Sequence, residues 1–247
     1  MASNGTSEHC CLNGDLLPPK TKRPAMMNGA SNGVTKATNS ISSRVEGLEK
    51  YSHFVDSMWK DIAAAQAACA SIDNSEIVRF LDVLENSDGI LVSGMGKSGI
   101  VGQRLSSSLA SIGALSNYVH GAEWGHGDLG RARPGKDSAI FFSHSGNTDE
   151  CVKAATHLNQ RGVTTLCIVG NRDSLLSKTC QYCLHYKSDT MEEPFKLVPT
   201  CSIVVQEMIS NAILRDLMQR KSVTKSMFRD NHPGGSIGRI LAQESQD

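Results

Sequence analysis

The sequence has no excess of either charge, and this limits the partners it can have. Its 247 residues carry 25 basic and 25 acidic side chains, so composition gives no support for nucleic-acid or anionic-membrane binding. No apolar run is long enough to span a bilayer, and the N-terminus lacks the hydrophobic core of a signal peptide. We therefore expect a cytoplasmic protein with neither a nucleic acid nor a membrane as partner.

The cysteines also lack a pattern that would indicate a special function. Eight cysteines are spread along the chain without disulfide-framework spacing, which favours reduced thiols and the cytoplasm. Cys180 and Cys183 form a C-x-x-C pair, but no second pair completes a zinc site. Chance spacing is the favoured interpretation of that pair.

Composition divides the chain into a tail and a folded domain. Residues 1–43 are rich in Ser, Asn, Gly, Thr and Pro and have no apolar period, so we predict a disordered polar tail. A passive role and a regulatory or targeting role both stay open for it. Residues 44–247 are predicted to form the domain, starting with a helix over residues 45–71 and a second helix capped by Asp73 or Asn74.

The domain alternates between apolar runs and amphipathic segments. The runs contain consecutive Val, Ile, Leu and Phe residues, which is typical of a parallel sheet covered on both faces. Ligands of such sheets bind beyond the carboxyl ends of the strands, where the polar loops of this sequence fall. The predicted strands are residues 90–92, 114–119, 138–142, 164–169 and 182–186, and a longer helix is predicted over 201–220.

A glycine-rich turn follows the first apolar run. Gly94, Gly96 and Gly99 enclose Lys97 and Ser98, and a predicted helix follows from about residue 100. Backbone N–H groups at such a junction bind anions, and a lysine and a hydroxyl suit phosphate. A tight turn without a ligand stays the alternative.

The same glycines match the G-x-G-x-x-G dinucleotide fingerprint. That fingerprint needs an acidic residue at the end of the next strand, but this strand ends at Val119-His120, and Glu123 is the nearest carboxylate. The spacing does not fit a Walker A motif either. A dinucleotide-binding protein is thus a disfavoured alternative, and we expect no cofactor.

A second polar loop resembles a phosphate site. Ser143, Ser145 and Thr148 stand with Gly146 just before a predicted helix, so hydroxyls and backbone N–H groups can converge on one phosphate. An N-cap motif is the alternative, since Ser or Thr there would satisfy helix donors.

Titratable side chains supply candidates for acid–base chemistry. The loop over residues 120–130 has two histidines and two carboxylates, His120, Glu123, His126 and Asp128. Their spacing matches no known zinc motif, so proton exchange is favoured over a metal site, and we predict no metal.

Two further titratable residues allow either a structural or a functional role. Glu150 can be a base near the second loop or a partner of the helix dipole. His232 lies in the stiff segment His-Pro-Gly-Gly before a predicted short helix, and it can be either structural or functional.

Four motifs in order resemble the sugar isomerase (SIS) fold, and more narrowly the arabinose-5-phosphate isomerase family. The resemblance runs from about residue 48 to residue 242. Its motifs are GMGKSG at 94–99, EWGHGDLG at 123–130, SHSGNTDE at 143–150 and HPGGSIGRIL at 232–241.

The resemblance implies an αβα sandwich with a five-stranded parallel sheet of flavodoxin-like type. It implies interconversion of ribulose 5-phosphate and arabinose 5-phosphate through an enediolate, and a dimer or tetramer with shared active sites, a homotetramer being our expectation. His232 would then serve a neighbour's site. The implied catalytic residues are Lys97, His126, Glu150 and His232, with Glu150 as the base, and the expected substrate contacts are Gly96, Ser98, Ser143, His144, Ser145, Thr148 and Glu192.

Three departures from the family pattern affect this expectation. The place of a family glutamate after the fifth strand falls on Met191, with Glu192 and Glu193 immediately after it. The family's S-N-S-G-E core has His144 and Asn147 in place of its Asn and Glu. Most members continue into a pair of CBS modules, whereas this sequence ends at Asp247, so we expect no regulation through such modules. A non-catalytic phosphosugar-binding regulatory module is therefore the alternative function.

Overall fold

A computed structural model describes residues 34–188 and 193–243 and divides the chain into two units, residues 1–49 and residues 50–247. The helices are α1 (Val34–Ala70), α2 (Asn74–Glu85), α3 (Gly96–Ser111), α4 (Asp149–Gln160), α5 (Leu175–Thr179), α6 (Cys201–Arg220), α7 (Lys225–Asp230) and α8 (Gly235–Gln243). The strands are β1 (Gly89–Gly94), β2 (Ser116–His120), β3 (Asp137–Ser143), β4 (Thr164–Val169) and β5 (Tyr182–His185).

The first helix begins earlier than the sequence predicts. Its first residue is Val34, so residues 34–43 of the predicted tail are helical. No glycine or proline occurs between Val34 and Arg44, which leaves nothing to stop a helix there. Residues 1–33 lie outside the described part of the chain, and their disorder stays a prediction.

The five strands form one parallel sheet, as the sequence predicts. The strand order is β2-β1-β3-β4-β5, and every neighbouring pair is parallel. The chain moves outward in opposite directions from β1 and β3, so the switch point of the topology lies between these two strands. Gly94 pairs with Phe142 in this central pair, which brings the loops after β1 and β3 together.

Two apolar clusters cover the two faces of the sheet and confirm the predicted three-layer sandwich. Along β3, Ile140 and Phe142 belong to one cluster and Phe141 to the other, because successive strand residues point to opposite faces. Helices α2, α3 and α6 supply Phe80, Leu105, Val205 and other members of the first cluster. Helices α4 and α5 supply Leu158 and Leu176 to the second. Among the described helices, none is long and apolar enough to cross a membrane.

Candidate functional site

The loop after β1 brings the end of a strand close to the start of a helix. Helix α3 begins at Gly96, whose φ is +54°, a conformation that glycine adopts without strain. A Cβ on Gly99 would lie 2.9 Å from the carbonyl oxygen of Gly94, so only glycine fits this close approach. The N-cap residue Met95 makes no side-chain capping bond, and the first N–H groups of α3 therefore have no side-chain cap.

Lys97 and Ser98 lie in the first turn of this helix. The sequence predicts a helix only from about residue 100, and the structure extends it four residues towards the glycine turn. Lys97 is exposed and Ser98 is half-buried. Both side chains are thus fixed to a helix N-terminus, where the helix dipole favours an anion.

Hydroxyl groups build the loop after β3. The Oγ of Ser143 accepts the N–H of Gly146 at 3.1 Å and lies 3.0 Å from the Oγ1 of Thr148. Ser145 accepts the N–H of Asn147 at 3.2 Å. Thr148 is the N-cap residue of α4, but its side chain makes no capping bond. The N-cap interpretation therefore fails for Thr148, because the first N–H groups of α4 receive no cap from it.

The two loops lie next to each other at the switch point of the sheet. Ser143 follows Phe142, the partner of Gly94 in the β1–β3 ladder. Helices α3 and α4 both begin here without a side-chain cap. Two helix N-termini and several hydroxyls at one edge of a parallel sheet form a site that suits a phosphate group.

Two hydrogen bonds hold the loop after β2 against β1. The N–H of Gly121 donates to the carbonyl of Gly94 at 3.2 Å. The indole of Trp124 is 1% exposed and donates from Nε1 to the Oγ of Ser93 at 2.9 Å. Sequence reasoning predicts a polar loop here, and the structure adds two short 3₁₀-helices, Glu123–His126 and Asp128–Arg131. The exposed side chain of His126 therefore stands on an anchored loop.

The carboxylate of Asp128 in this loop is ion-paired. Asp128 pairs with Arg131 at 2.9 Å. Within residues 34–188 and 193–243, no group of three or more His, Cys, Asp or Glu side chains is arranged to hold a metal ion. Proton exchange by the side chains of this loop stays a prediction.

The predicted base lies at the same edge. Glu150 is exposed in the first turn of α4, directly after the loop that starts at Ser143. Lys97 occupies the equivalent place on α3, after the neighbouring strand. The site residues predicted from the three loops are therefore brought to one edge of the sheet.

His232 is not brought to this edge in the same chain. Its neighbour Asn231 donates from Nδ2 to the carbonyl of Ser111 at 3.3 Å, and Ser111 is the last residue of α3. The 16 residues of α3 place that end about 22 Å from Gly96 at 1.5 Å per residue. The Nδ1 of His232 donates to the carbonyl of Phe228 at 2.7 Å, and the two rings stack 4.0 Å apart. This bond leaves Nε2 as the end that can exchange a proton.

The predicted place of the family's loop glutamate lies outside the described residues. Met191 and Glu192 lie outside the described residues. Glu193 is described, and its carboxylate accepts the N–H groups of Thr200 at 3.1 Å and Ser202 at 3.0 Å, as well as the hydroxyl of Ser202. Glu193 thus caps the N-terminus of α6, which is a structural role.

Sequence reasoning missed a buried chain of polar side chains behind the loop after β3. The Nδ1 of His144 lies 3.0 Å from the hydroxyl of Tyr186, and the Nε2 of Gln206 donates to that hydroxyl at 3.1 Å. Burial lowers the pKa of His144, while the charge of Glu193 opposes the shift. Burial also raises the pKa of Tyr186. The signal in the sequence was the glutamine at a buried position of α6, between Val205 and Ile209.

Comparison with known proteins fixes the family. The model of the SIS domain matches residues 83–214, which is more than half of the chain and includes both phosphate-type loops. The chain belongs to the SIS domain family. The unit over residues 50–247 of this SIS protein carries all three loops of the site.

Curated relatives of this SIS protein carry one activity in their names. It is 36% identical over 186 residues to arabinose 5-phosphate isomerase KpsF of Escherichia coli, covering 75% of this chain and 57% of that protein. It is 34% identical over 165 residues to arabinose 5-phosphate isomerase KdsD of Pseudomonas aeruginosa, covering 67% of this chain and 50% of that protein. The chain thus spans about half the length of these relatives.

Solved structures resemble the same part of the chain. A protein of E. coli CFT073 in complex with arabinose 5-phosphate is 28% identical, with a TM-score of 0.68, over 76% of this chain and 98% of that chain. The Vibrio vulnificus NanR protein complexed with ManNAc-6P has a TM-score of 0.65 at 20% identity, over 74% of this chain and 70% of that chain. The second likeness shows the fold alone.

Proposed function

We propose that this SIS protein is an arabinose-5-phosphate isomerase, which interconverts ribulose 5-phosphate and arabinose 5-phosphate. One observation carries the proposal: the loops after β1 and β3 meet at the switch point, with two helix N-termini that have no side-chain cap. The names of the relatives and the complex of the E. coli CFT073 protein with arabinose 5-phosphate support the choice of sugar.

The phosphate of the sugar binds between the two loops in this proposal. Ser98, Ser145 and Thr148 offer hydroxyls, and the N–H groups of the first helical turns offer further donors. Gly96 allows close approach of the ligand because it has no side chain. The buried Ser143 holds the loop in shape through its bonds to Gly146 and Thr148.

The chemistry moves a proton between C1 and C2 of the sugar through an enediolate. Glu150 takes the proton from one carbon and returns it to the other. Lys97 supplies positive charge to the oxyanion that develops. His126 or His232 moves protons between the sugar oxygens.

His232 reaches the site from a second subunit. It lies at the far end of α3 from Lys97 in its own chain, so a complete site requires a homo-oligomer with shared active sites. We propose a dimer or a tetramer of this kind, and we place the protein in the cytoplasm, where reduced thiols persist. The six described cysteines are free, which agrees with that location; fractionation of cells tests it.

The first experiment follows ribulose 5-phosphate and arabinose 5-phosphate by NMR with the purified full chain. We expect each sugar to convert into the other until the same equilibrium mixture is reached. Binding of both sugars without conversion would overturn the isomerase assignment and favour the non-catalytic regulatory module.

The shared site is tested by mixing two inactive variants, Lys97→Ala and His232→Ala. If His232 acts in the partner's site, each mixed dimer contains one intact site, so random mixing restores about a quarter of the wild-type sites. A mixture as inactive as its components would show that His232 does not complete a neighbour's site. Mixing each variant with itself is the matched control.

A further inference from the structure

A series of hydrogen bonds leads from α6 to the loop after β3. It runs from Gln206 through Tyr186 to His144, with distances of 3.1 Å and 3.0 Å. We propose that Tyr186 and Gln206 are positioning residues that hold His144 in one neutral tautomer, with its proton on Nε2. His144 then presents a fixed N–H donor to an oxygen of the bound sugar phosphate, and this last step rests on the proposed function.

The amide of Gln206 determines which group donates in each of these hydrogen bonds. Its Nε2 donates to the Tyr186 hydroxyl, and its Oε1 is buried without a hydrogen-bond partner among the described residues. The reverse orientation would let Oε1 accept from Tyr186 but would leave both N–H donors of Nε2 without a partner. The observed orientation leaves this oxygen and one N–H without a partner in the described part of the chain, whereas the reverse leaves two N–H groups. An unpaired buried carbonyl oxygen is the more tolerable of the two defects, so the amide acts as the donor.

The hydroxyl of Tyr186 then fixes the tautomer of His144. The hydroxyl has one hydrogen and already accepts one from Gln206. If the Nδ1 of His144 also donated to it, the tyrosine hydrogen would have no acceptor among the described residues, although Tyr186 is 0% exposed. Nδ1 therefore accepts, and the imidazole proton lies on Nε2. Burial lowers the pKa of His144, although the charge of Glu193 opposes the shift; the lowered pKa favours the neutral ring.

The ring of His144 is also held in place sterically. A Cβ on Gly170 would lie 2.7 Å from Nδ1, so the imidazole rests against this glycine. The N–H of Gly170 donates to the carbonyl of His144 at 2.9 Å, and the ring lies 5.9 Å from that of Tyr186 at an angle of 25°. In the part of the chain that the structure describes, Nε2 makes no hydrogen bond.

This arrangement gives the loop an N–H donor in addition to the hydroxyls of its serines. Ser143 and Ser145, on either side of His144, use their oxygens to hold the loop. A fixed Nε2–H donor needs no reorientation when the sugar binds. In triosephosphate isomerase a neutral histidine polarises a substrate oxygen, which shows that such a donor serves isomerisation.

The test reads the tautomer directly, without substrate. Long-range ¹H–¹⁵N spectra of protein labelled at histidine distinguish an Nε2–H ring from an Nδ1–H ring. At pH 8 we expect His144 of the wild type to be the Nε2–H tautomer. In Tyr186→Phe we expect a mixture of tautomers, whereas Tyr182→Phe, which removes a hydroxyl from the same strand segment, leaves His144 unchanged. An Nδ1–H ring in the wild type, or an unchanged ring in Tyr186→Phe, overturns the proposal.

Affinity for arabinose 5-phosphate tests the role in binding. Because Tyr186→Phe loses one oriented donor, its affinity for the sugar should fall by about threefold to tenfold. The affinity of Tyr182→Phe should equal that of the wild type. Equal affinity in both variants would show that the held tautomer does not serve the ligand. If Tyr186→Phe fails to fold, Gln206→Met replaces it, with the same expectations. A wild type that binds but does not convert the sugar overturns the isomerase assignment and leaves the tautomer result standing.

Discussion

Gly146 makes the sharpest test of the geometry of the loop after β3. Its φ is +65°, and a Cβ built on it would lie 2.5 Å from the Cβ of Ser174 and closer still to the hydroxyl. Ser174 is 1% exposed, so it has little space to move away. The variant Gly146→Ala must therefore either displace the start of α5 or change the shape of the loop.

The loss of stability in Gly146→Ala has two contributions that can be measured separately. Placing alanine at a left-handed backbone position costs about 1–2 kcal/mol. Forcing a methyl group into a packed site costs about 1–3 kcal/mol more, so Gly146→Ala should lower the free energy of unfolding by about 2–5 kcal/mol. Gly135 is the matched control, because its φ is +68° and nothing lies within 4 Å of a Cβ there. Gly135→Ala should show the first part alone.

Urea unfolding of both variants measures the difference, and binding of arabinose 5-phosphate reports on the loop. We expect Gly146→Ala to be the less stable variant and to lose affinity, while Gly135→Ala keeps the affinity of the wild type. Equal stability of the two variants would refute the packing of Gly146 against Ser174. Unchanged affinity in Gly146→Ala would refute the place of this loop in the phosphate site.

Two further predictions concern titrating groups. Hydrogen bonds from Ser75 lower the pKa of Asp73, the N-cap of α2. The ionised carboxylate therefore stabilises the fold fully above the unfolded-state pKa of about 3.9. This stabilisation is lost as the pH falls through the lower pKa of the folded state. Asp73→Ala should thus have a lower urea midpoint than wild type at pH 7, and the gap should narrow as the pH falls below about 3.9. A gap that stays constant as the pH falls would contradict the role. A hydrogen bond with Cys167 lowers the pKa of Cys183, whereas burial raises that of Cys151 to about 12. Iodoacetamide at pH 8 should therefore alkylate Cys183 before Cys151, as mass spectrometry will show, and the reverse order would contradict this pattern.

Regular apolar patterns predicted the architecture well. The fourth strand over 164–169 and the helix over 201–220 have the predicted bounds. Continuous apolar runs predict strands that are covered on both faces, and every residue of β1 and β3 is buried in the structure. The parallel sheet and the gathering of the polar loops at its carboxyl edge followed from this pattern.

Boundaries near glycine were harder to predict. Helix α3 begins at Gly96, because a glycine with positive φ can lead directly into the first turn. The first of the two 3₁₀-helices after β2 contains Trp124, whose side chain bonds to Ser93 far back in the sequence, and no local pattern reveals such a bond. Short-range periodicity cannot report contacts between residues 31 positions apart.

The motifs predicted the residues at the edge of the sheet, but not the residues that hold them in position. Lys97, His126 and Glu150 reach the expected edge because each follows the carboxyl end of a strand in the parallel sheet. The roles of Tyr186 and Gln206 depend on β5 and α6 packing behind the loop, which is a property of the folded sheet. The position of His232 at the other end of α3 likewise required the structure.

The isomerase assignment is tested most directly in D₂O, with the wild type and Glu150→Gln side by side. The account predicts that the wild type converts arabinose 5-phosphate into ribulose 5-phosphate and places deuterium on the carbons that exchange a proton through the enediolate. It predicts that Glu150→Gln binds the sugar but neither converts nor labels it. Conversion and labelling at the wild-type rate in Glu150→Gln would contradict the role of the carboxylate, and a wild type that binds without converting would contradict the isomerase itself.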